Sequence, residues 1–222
     1  MQIKTRQTGR RHNPAFTLIE IIGVVAVIAI LAAVLTPRVV SVIARGKVNA
    51  TAQSLGSLKS ATADYIGKNG SLPQRAGTGA TNAAVTAGRF DADLIAGGFT
   101  EKLFSCSLGN QLFDGSALTG RTHVRSVAAV SAAAVTVPNA DGSLNGGSNF
   151  NLDRDTSTAD FTAGQTVVVA FIPGVALGDA VALNKILDGD DNTGTGADTT
   201  GRCMYSDGTS GTVTVYVYIA HY

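Results

Sequence analysis

The sequence has few of the residues that carry catalysis or bind metals. It has no tryptophan, two cysteines and only three histidines, His12, His123 and His221. No pair of these histidines or cysteines has the His-x-x-x-His or Cys-x-x-Cys spacing of a metal site. The chain also lacks a G-x-S-x-G nucleophile elbow, a phosphate-binding loop and a dinucleotide fingerprint. The sequence therefore predicts a protein that is not an enzyme, with His123 and His221 as surface or strand-end residues.

In the N-terminal region, the small residue after which a peptidase could cut lies before the hydrophobic segment instead of after it. Residues 1–15 contain four basic residues and no acidic ones, and an apolar run then extends from Phe16 to Leu35, with Glu20 near its start. As a helix, this run is long enough to cross the roughly 30 Å hydrocarbon core of a membrane. A secretory signal loses its hydrophobic region on cleavage. A cut between Ala15 and Phe16 would instead remove the leader and retain the anchor.

The segment Ala-Phe-Thr-Leu-Ile-Glu at residues 15–20, the apolar run and Pro37 resemble the N-terminal signature of type IV pilins and type II secretion pseudopilins. The resemblance covers about the first third of the chain. In that family, prepilin peptidase cuts just before the phenylalanine and methylates the new amino terminus. The resemblance thus implies that Phe16 is the first mature residue, Glu20 the fifth and Pro37 the helix-bending proline. The family usually has glycine before the cut; Ala15, the next smallest residue, is still expected to permit cleavage.

The same resemblance implies a function, partners and a location. The chain is expected to be a structural subunit that polymerises through its N-terminal helix with its own copies and with related pilin subunits. Its other partners would be prepilin peptidase, the inner-membrane assembly platform and the membrane itself. It would cross the inner membrane once, with its head exported to the periplasm, or to the cell surface in a true pilus. An unpaired carboxylate is costly at membrane depth, so we expect Glu20 to pair with the Phe16 amine of the next subunit.

Other functions fit the same residues. One is a monomeric inner-membrane-anchored binding domain, in which the glutamate of the span is incidental. Another is a minor pilin with an adhesive or DNA-uptake role. Within the filament class, both a pilus subunit and a secretion pseudopilus subunit match the motif.

The charge of the exported part argues against direct binding of nucleic acid. The net charge of the whole chain is +1, and removing the four basic residues of the leader lowers it to −3. From Ser71 onward there are 8 lysines and arginines against 14 aspartates and glutamates. An acidic domain does not neutralise phosphates, so no nucleic-acid partner is expected.

The two cysteines, Cys106 and Cys203, both lie in the part expected to be exported. An even number of cysteines in an oxidising compartment favours a disulfide over a metal or redox site. Such a bond would close a long loop and contribute about 4–5 kcal/mol in the chain-entropy model. The alternative is a pair of buried free thiols.

An acidic stretch late in the chain has alternating oxygen-bearing side chains. Asp188, Asp190 and Asn192 occupy alternate positions, and Asp198 lies further along the same loop. Carboxylate and amide oxygens on a glycine-containing turn are the ligands that Ca²⁺ requires. The order departs from an EF-hand loop, whose glycine would stand at Thr193 and which also needs a later glutamate. Some type II secretion pseudopilins bind calcium in a C-terminal loop, so the resemblance supports a Ca²⁺ site; the alternative is a solvated turn.

The pattern along the chain predicts an α+β fold in three parts. These are a cleaved leader at 1–15, a long helix at 16–69 that spans the membrane to about residue 36, and a small antiparallel β-rich head at 70–222. In the helix, apolar residues recur at helical spacing on one face between Val48 and Ile66. The clearest predicted elements of the head are a strand at 165–172 stopped by Pro173 and Gly174, a helix at 177–187 and a strand at 212–220. The last strand should pack its apolar face on the second half of the long helix.

Overall fold

The structure is a computed structural model that describes residues 16–73, 89–110, 122–128, 150, 152, 160–161, 165–189, 198–206 and 211–222. Three helices and four strands lie in these ranges. In chain order they are α1 (Leu18–Asn69), α2 (Phe90–Ala96), β1 (His123–Ala128), β2 (Thr166–Ala176), α3 (Leu177–Asp188), β3 (Cys203–Tyr205) and β4 (Thr212–His221). A long N-terminal helix and a small antiparallel sheet confirm the predicted α+β fold.

The long helix forms as one element of 52 residues, with Pro37 inside it. It ends where expected: Gly70 has a φ of 69°, and its N–H donates to the carbonyl of Ile66 at 2.8 Å. Glycine adopts this left-handed conformation without the steric cost of a Cβ, so it is a common helix stop. The residues of α1 that are buried form one stripe at helical spacing: Val48, Thr51, Leu55, Leu58, Ala61 and Thr62.

The four strands form one sheet in the order β1-β2-β4-β3, and every neighbouring pair is antiparallel. The predicted helix at 177–187 and the predicted strand at 212–220 are both confirmed as α3 and β4. The three-residue strand β3 was not predicted. It is too short for a period-2 pattern to be recognised in the sequence.

The predicted end of the second strand at Pro173 is wrong, because β2 continues to Ala176. The pairing with β4 shifts register between Ile172 and Val175, which is a β-bulge. Gly174 has a φ of 73° there, and the Pro173 carbonyl accepts a hydrogen bond from the Asn110 N–H at 2.7 Å. A bulge leaves its extra residues out of the ladder, so a proline without an N–H donor can be accommodated.

Both faces of the sheet are buried. On one face, alternate β4 residues join the stripe of α1 in a single apolar cluster, as predicted; they are Val213, Val215, Val217 and Ile219. On the other face, Phe150 and Phe161 pack against Tyr216 and Phe171. A strand buried on both faces shows a continuous apolar run, as β2 does, instead of alternation.

The chain divides into two compact units, residues 1–43 and residues 44–222. The second half of α1 therefore folds with the head, in which it supplies the stripe that covers one face of the sheet. The apolar first half of the helix belongs to the other unit. We describe the two units separately.

Candidate functional site

The start of α1 carries a hydrogen-bonded cap built from two of its own residues. The Thr17 N–H and the Thr17 hydroxyl both donate to Oε2 of Glu20, at 2.8 and 2.7 Å. The Glu20 N–H lies 3.4 Å from the Thr17 hydroxyl oxygen in return. This reciprocal pattern is a capping box, which satisfies N–H groups that have no partner inside the helix. It fixes Glu20 at the helix start, beside Phe16.

The sequence contains a local signal for this cap, but the prediction for Glu20 did not include capping. Thr17 stands three residues before Glu20 and directly before an apolar run, which is the spacing of a capping box. Within the monomer, the Glu20 carboxylate accepts two hydrogen bonds from Thr17. Thr17 supplies no positive charge, however. Pairing of the Glu20 charge with the Phe16 amine of a second copy stays a prediction.

The first half of α1 presents an apolar surface on all sides. The large apolar residues from Leu18 to Ile43 are all more than half exposed, and Phe16 is 80% exposed. Of the described helices, only α1 is long and apolar enough to cross a membrane, and its most apolar 18-residue window has a mean hydropathy of 3.0 and no buried residue. A membrane or neighbouring protein is the environment in which such a surface is stable.

The two cysteines are free thiols in the structure, so the predicted disulfide is not formed there. Cys203 lies fully buried in the main apolar cluster, and Cys106 packs against that cluster half-buried, with its Sγ 3.3 Å from the Leu108 carbonyl oxygen. Burial raises the pKa of the Cys203 thiol well above its ordinary value, and the carboxylates of Asp188 and Asp198 raise it further. Bonding of the two cysteines after export stays a prediction.

The two described aspartates of the proposed calcium loop are hydrogen-bonded within the protein. Asp188 Oδ2 accepts from the Cys203 N–H at 2.7 Å, and its Oδ1 lies 3.4 Å from Arg202 Nε. Asp198 is buried, and its Oδ1 accepts from the N–H and hydroxyl of Thr200 at 3.0 and 2.9 Å. These bonds fasten both ends of the loop.

The fit of the loop to Ca²⁺ is partial. Asp190 and Asn192 lie outside the described residues, so the structure places two of the four predicted ligands. Asn184 donates to Asp198 through Nδ2, while its buried Oδ1 has no hydrogen-bond partner in the described part of the chain. That amide oxygen is a ligand atom of the kind that Ca²⁺ prefers. Within the described ranges, no three His, Cys, Asp or Glu side chains are grouped to hold a metal ion.

The two histidines of the head differ in exposure. His221, near the end of β4, is exposed, and its Nδ1 lies 2.6 Å from the Tyr218 hydroxyl. His123 begins β1, but it is fully buried, with its ring 4.8 Å from the Phe171 ring. His123 therefore fits the strand-end alternative of its prediction and not the surface alternative. Packing against an aromatic ring explains its burial.

Comparison with known proteins gives a result for the N-terminal region alone. No curated protein and no solved structure matches the chain. Residues 10–36 match the family model described as the prokaryotic N-terminal methylation motif. The match includes the Ala15–Phe16 junction, the capped start of α1 at Thr17 and Glu20, and most of the exposed apolar helix. The chain therefore carries the prepilin-type signature of type IV pilins and pseudopilins.

Proposed function

We propose that this protein is a structural subunit of a type IV filament, either a pilus or a type II secretion pseudopilus. Prepilin peptidase would cut between Ala15 and Phe16 and methylate the new terminus, and the retained α1 would anchor the chain in the inner membrane before assembly. The match to the methylation motif at residues 10–36 carries this proposal. The exposed apolar half of α1 supports it, because that surface needs lipid before assembly and neighbouring subunits afterwards.

The proposed role is assembly and not catalysis. The partners would be further copies of the chain, related pilin subunits, prepilin peptidase and the inner-membrane platform. The main alternative, a monomeric anchored binding domain, would use the same anchor without forming polymer. Shear-released filaments that contain this protein discriminate between the two.

A variant of the cleavage junction tests the proposal together with a matched control. Ala15→Leu places a large side chain where processing requires a small one. We expect this variant to keep its leader, to stay in the membrane and to be missing from the sheared fraction. Ala15→Gly restores the residue usual in the family and should be cleaved at least as fast as the natural sequence. Filaments built from uncleaved Ala15→Leu protein would contradict the proposal.

We also propose that the loop between Asp188 and Asp198 binds Ca²⁺. The buried, unsatisfied Asn184 Oδ1 beside Asp198 supports a cation there. A ligand at about 100 times its dissociation constant stabilises a fold by near 2.7 kcal/mol. The melting temperature of the head should therefore rise in millimolar Ca²⁺ relative to chelator, and Asp190→Ala should remove that rise. An equal melting temperature with Ca²⁺ and with chelator would contradict the Ca²⁺ site and favour the alternative, a solvated turn.

A further inference from the structure

The head has a groove beside the second half of α1, outside the exposed apolar first half of that helix. Its volume is about 120 Å³, and its walls include Ala52 and Gly56 of α1, Leu187 of α3 and Ile219 of β4. An apolar cavity of about 150 Å³ is large enough to admit benzene. The groove is therefore the right size for one apolar side chain.

Gly56 keeps this groove open at a cost to the helix. A Cβ built at Gly56 would meet no atom within 4 Å, so nothing described in the subunit requires glycine there. Glycine in a helix interior is less favourable than alanine by roughly 0.5–1 kcal/mol. At Gly56 this open position lies in the groove wall, so it leaves room there for a side chain from elsewhere.

Two cations lie at the same groove. Lys59 and Arg202 both line it. The Arg202 side chain is 42% exposed and is held in place by Asp188 and by the carbonyl of Leu187. Lys59 forms no ion pair with any residue that the structure describes. An occupant with an apolar side chain next to a carboxylate matches this combination of apolar walls and positive charge.

The loop after α2 presents that combination on the other flank of α1. Leu103 is 45% exposed, and the exposed Glu101 stands two residues before it. The Phe104 N–H donates to the buried carboxylate of Asp91 at 3.0 Å, which holds the loop in place. Leu103 lines a second pocket together with Ser54 of α1.

The groove and the loop therefore face in different directions. Ser54, on the loop side of α1, is about 160° around the helix from Gly56, at about 100° per residue. A contact that joins two different surfaces of identical copies is heterologous, and it can repeat without closing. Such a contact extends a polymer, whereas an isologous contact would stop at a dimer.

We propose that Leu103 of one head seats in the groove of a second copy, with Glu101 beside Lys59 and Arg202. This inference rests on the proposed function, since it requires polymerisation. It adds a contact between heads to the contacts of the N-terminal helices. The contact would fix the position of each head against the next.

Filling the groove tests the inference. Gly56→Leu should fold and be cleaved normally, because the site is open. Its yield of sheared filament should nevertheless fall at least about fivefold, which corresponds to a loss of about 1 kcal/mol at the contact. The matched control is Gly67→Leu, in the same helix and equally open but not in the groove. It should melt like Gly56→Leu and assemble normally. Wild-type filament yield from folded Gly56→Leu would overturn the inference.

Charge reversal provides a second, independent readout. Lys59→Glu and Glu101→Lys should each reduce filament yield, because each places like charges across the contact. The double variant exchanges these two charges but leaves Arg202 unchanged, so it should recover part of the loss. Absence of recovery in a folded, cleaved double variant would overturn the inference but leave the proposed function standing. Absence of any polymer from the wild-type protein would instead overturn the proposed function, and the inference with it.

Discussion

At the scale of single residues, Glu20 has one observed role and one predicted role, and substitutions can separate them. Its carboxylate caps α1 through Thr17, and we predict that its charge pairs with the amine of a neighbouring chain. Glutamine can act as the third residue of a capping box in place of glutamate. Glu20→Gln therefore removes the charge while it keeps the cap, whereas Glu20→Ala removes both.

We predict that both Glu20 variants are cleaved and inserted normally but reduce sheared filament at least about tenfold, since truncating one partner of a buried charge pair costs about 2–5 kcal/mol. Immunoblots of whole membranes and of the sheared fraction measure the two steps. Glu20→Asp, with a shorter arm, should be intermediate. If Glu20→Gln assembles normally and only Glu20→Ala fails, the cap is what assembly needs and the intersubunit pairing is wrong.

The two cysteines should differ in reactivity when the protein is reduced and folded. The thiolate is the reactive form, and the raised pKa of Cys203 leaves less thiolate at any pH near neutrality. Burial also limits access of reagents to Cys203, while Cys106 is half-buried. We predict that an alkylating reagent at pH 8 modifies Cys106 first and Cys203 only after unfolding. Mass spectrometry can follow the modification of each cysteine. Equal rates for Cys106 and Cys203 in the folded protein would contradict the structure.

The disulfide prediction is tested on protein from its native membrane. Non-reducing peptide mapping should yield a linked pair of Cys106 and Cys203 peptides. Because Cys203 is buried in the folded head, we expect the bond to form before folding is complete. Two freely alkylated thiols in exported, subsequently denatured protein would show that they remain unpaired.

At the scale of elements, the bulge in β2 depends on a glycine. Gly174 has a φ of 73°, and a Cβ there would lie 2.6 Å from the Asn110 side chain. A non-glycine residue in this conformation costs of order 1–3 kcal/mol. Gly174→Ala should therefore lower the free energy of unfolding by that amount, measured by denaturant titration.

Gly178→Ala is the matched control for the bulge. Gly178 lies in α3, and its added Cβ would meet nothing within 4 Å. This variant should raise the stability by roughly 0.5–1 kcal/mol, because alanine is the better helix former. Equal effects of the two substitutions would contradict the assigned conformation of Gly174.

The elements show what the sequence could and could not predict. α1 and β4 were predictable because each has a long, regular pattern, with apolar positions at helical spacing in one and at alternate positions in the other. The continuation of β2 past Pro173 could not be predicted, because it depends on pairing with β4 and on the contact with Asn110. Such contacts join residues that are distant in the chain.

The same distinction holds for the sites. Phe16 and Glu20 are recognisable because their motif is local and ordered, and the cap at Thr17 was equally readable. The bonds from Cys203 to Asp188 and from Asn184 to Asp198 could not be foreseen, because donor and acceptor are fifteen and fourteen residues apart. Only the folded head brings these groups together. The bonds from Thr200 to Asp198, by contrast, are local.

At the scale of the whole molecule, the two units require different surroundings. The head is acidic and has its own core, with a sheet buried on both faces. The first half of α1 has no buried residue in its most apolar window. A chain of this composition is stable only where that half is covered, first by lipid and then, in our proposal, by other copies. In that proposal, assembly replaces the lipid around this half with neighbouring copies.

The most direct test of this account is the intact mass of the protein in filaments that have been sheared from cells, including cells that overexpress it. The account predicts polymer whose subunit begins at Phe16 and carries one added methyl group at its amino terminus. A subunit that retains residues 1–15, or one cut within the apolar run, would contradict the central claim. So would protein with the correct mass that occurs only as membrane-bound monomer.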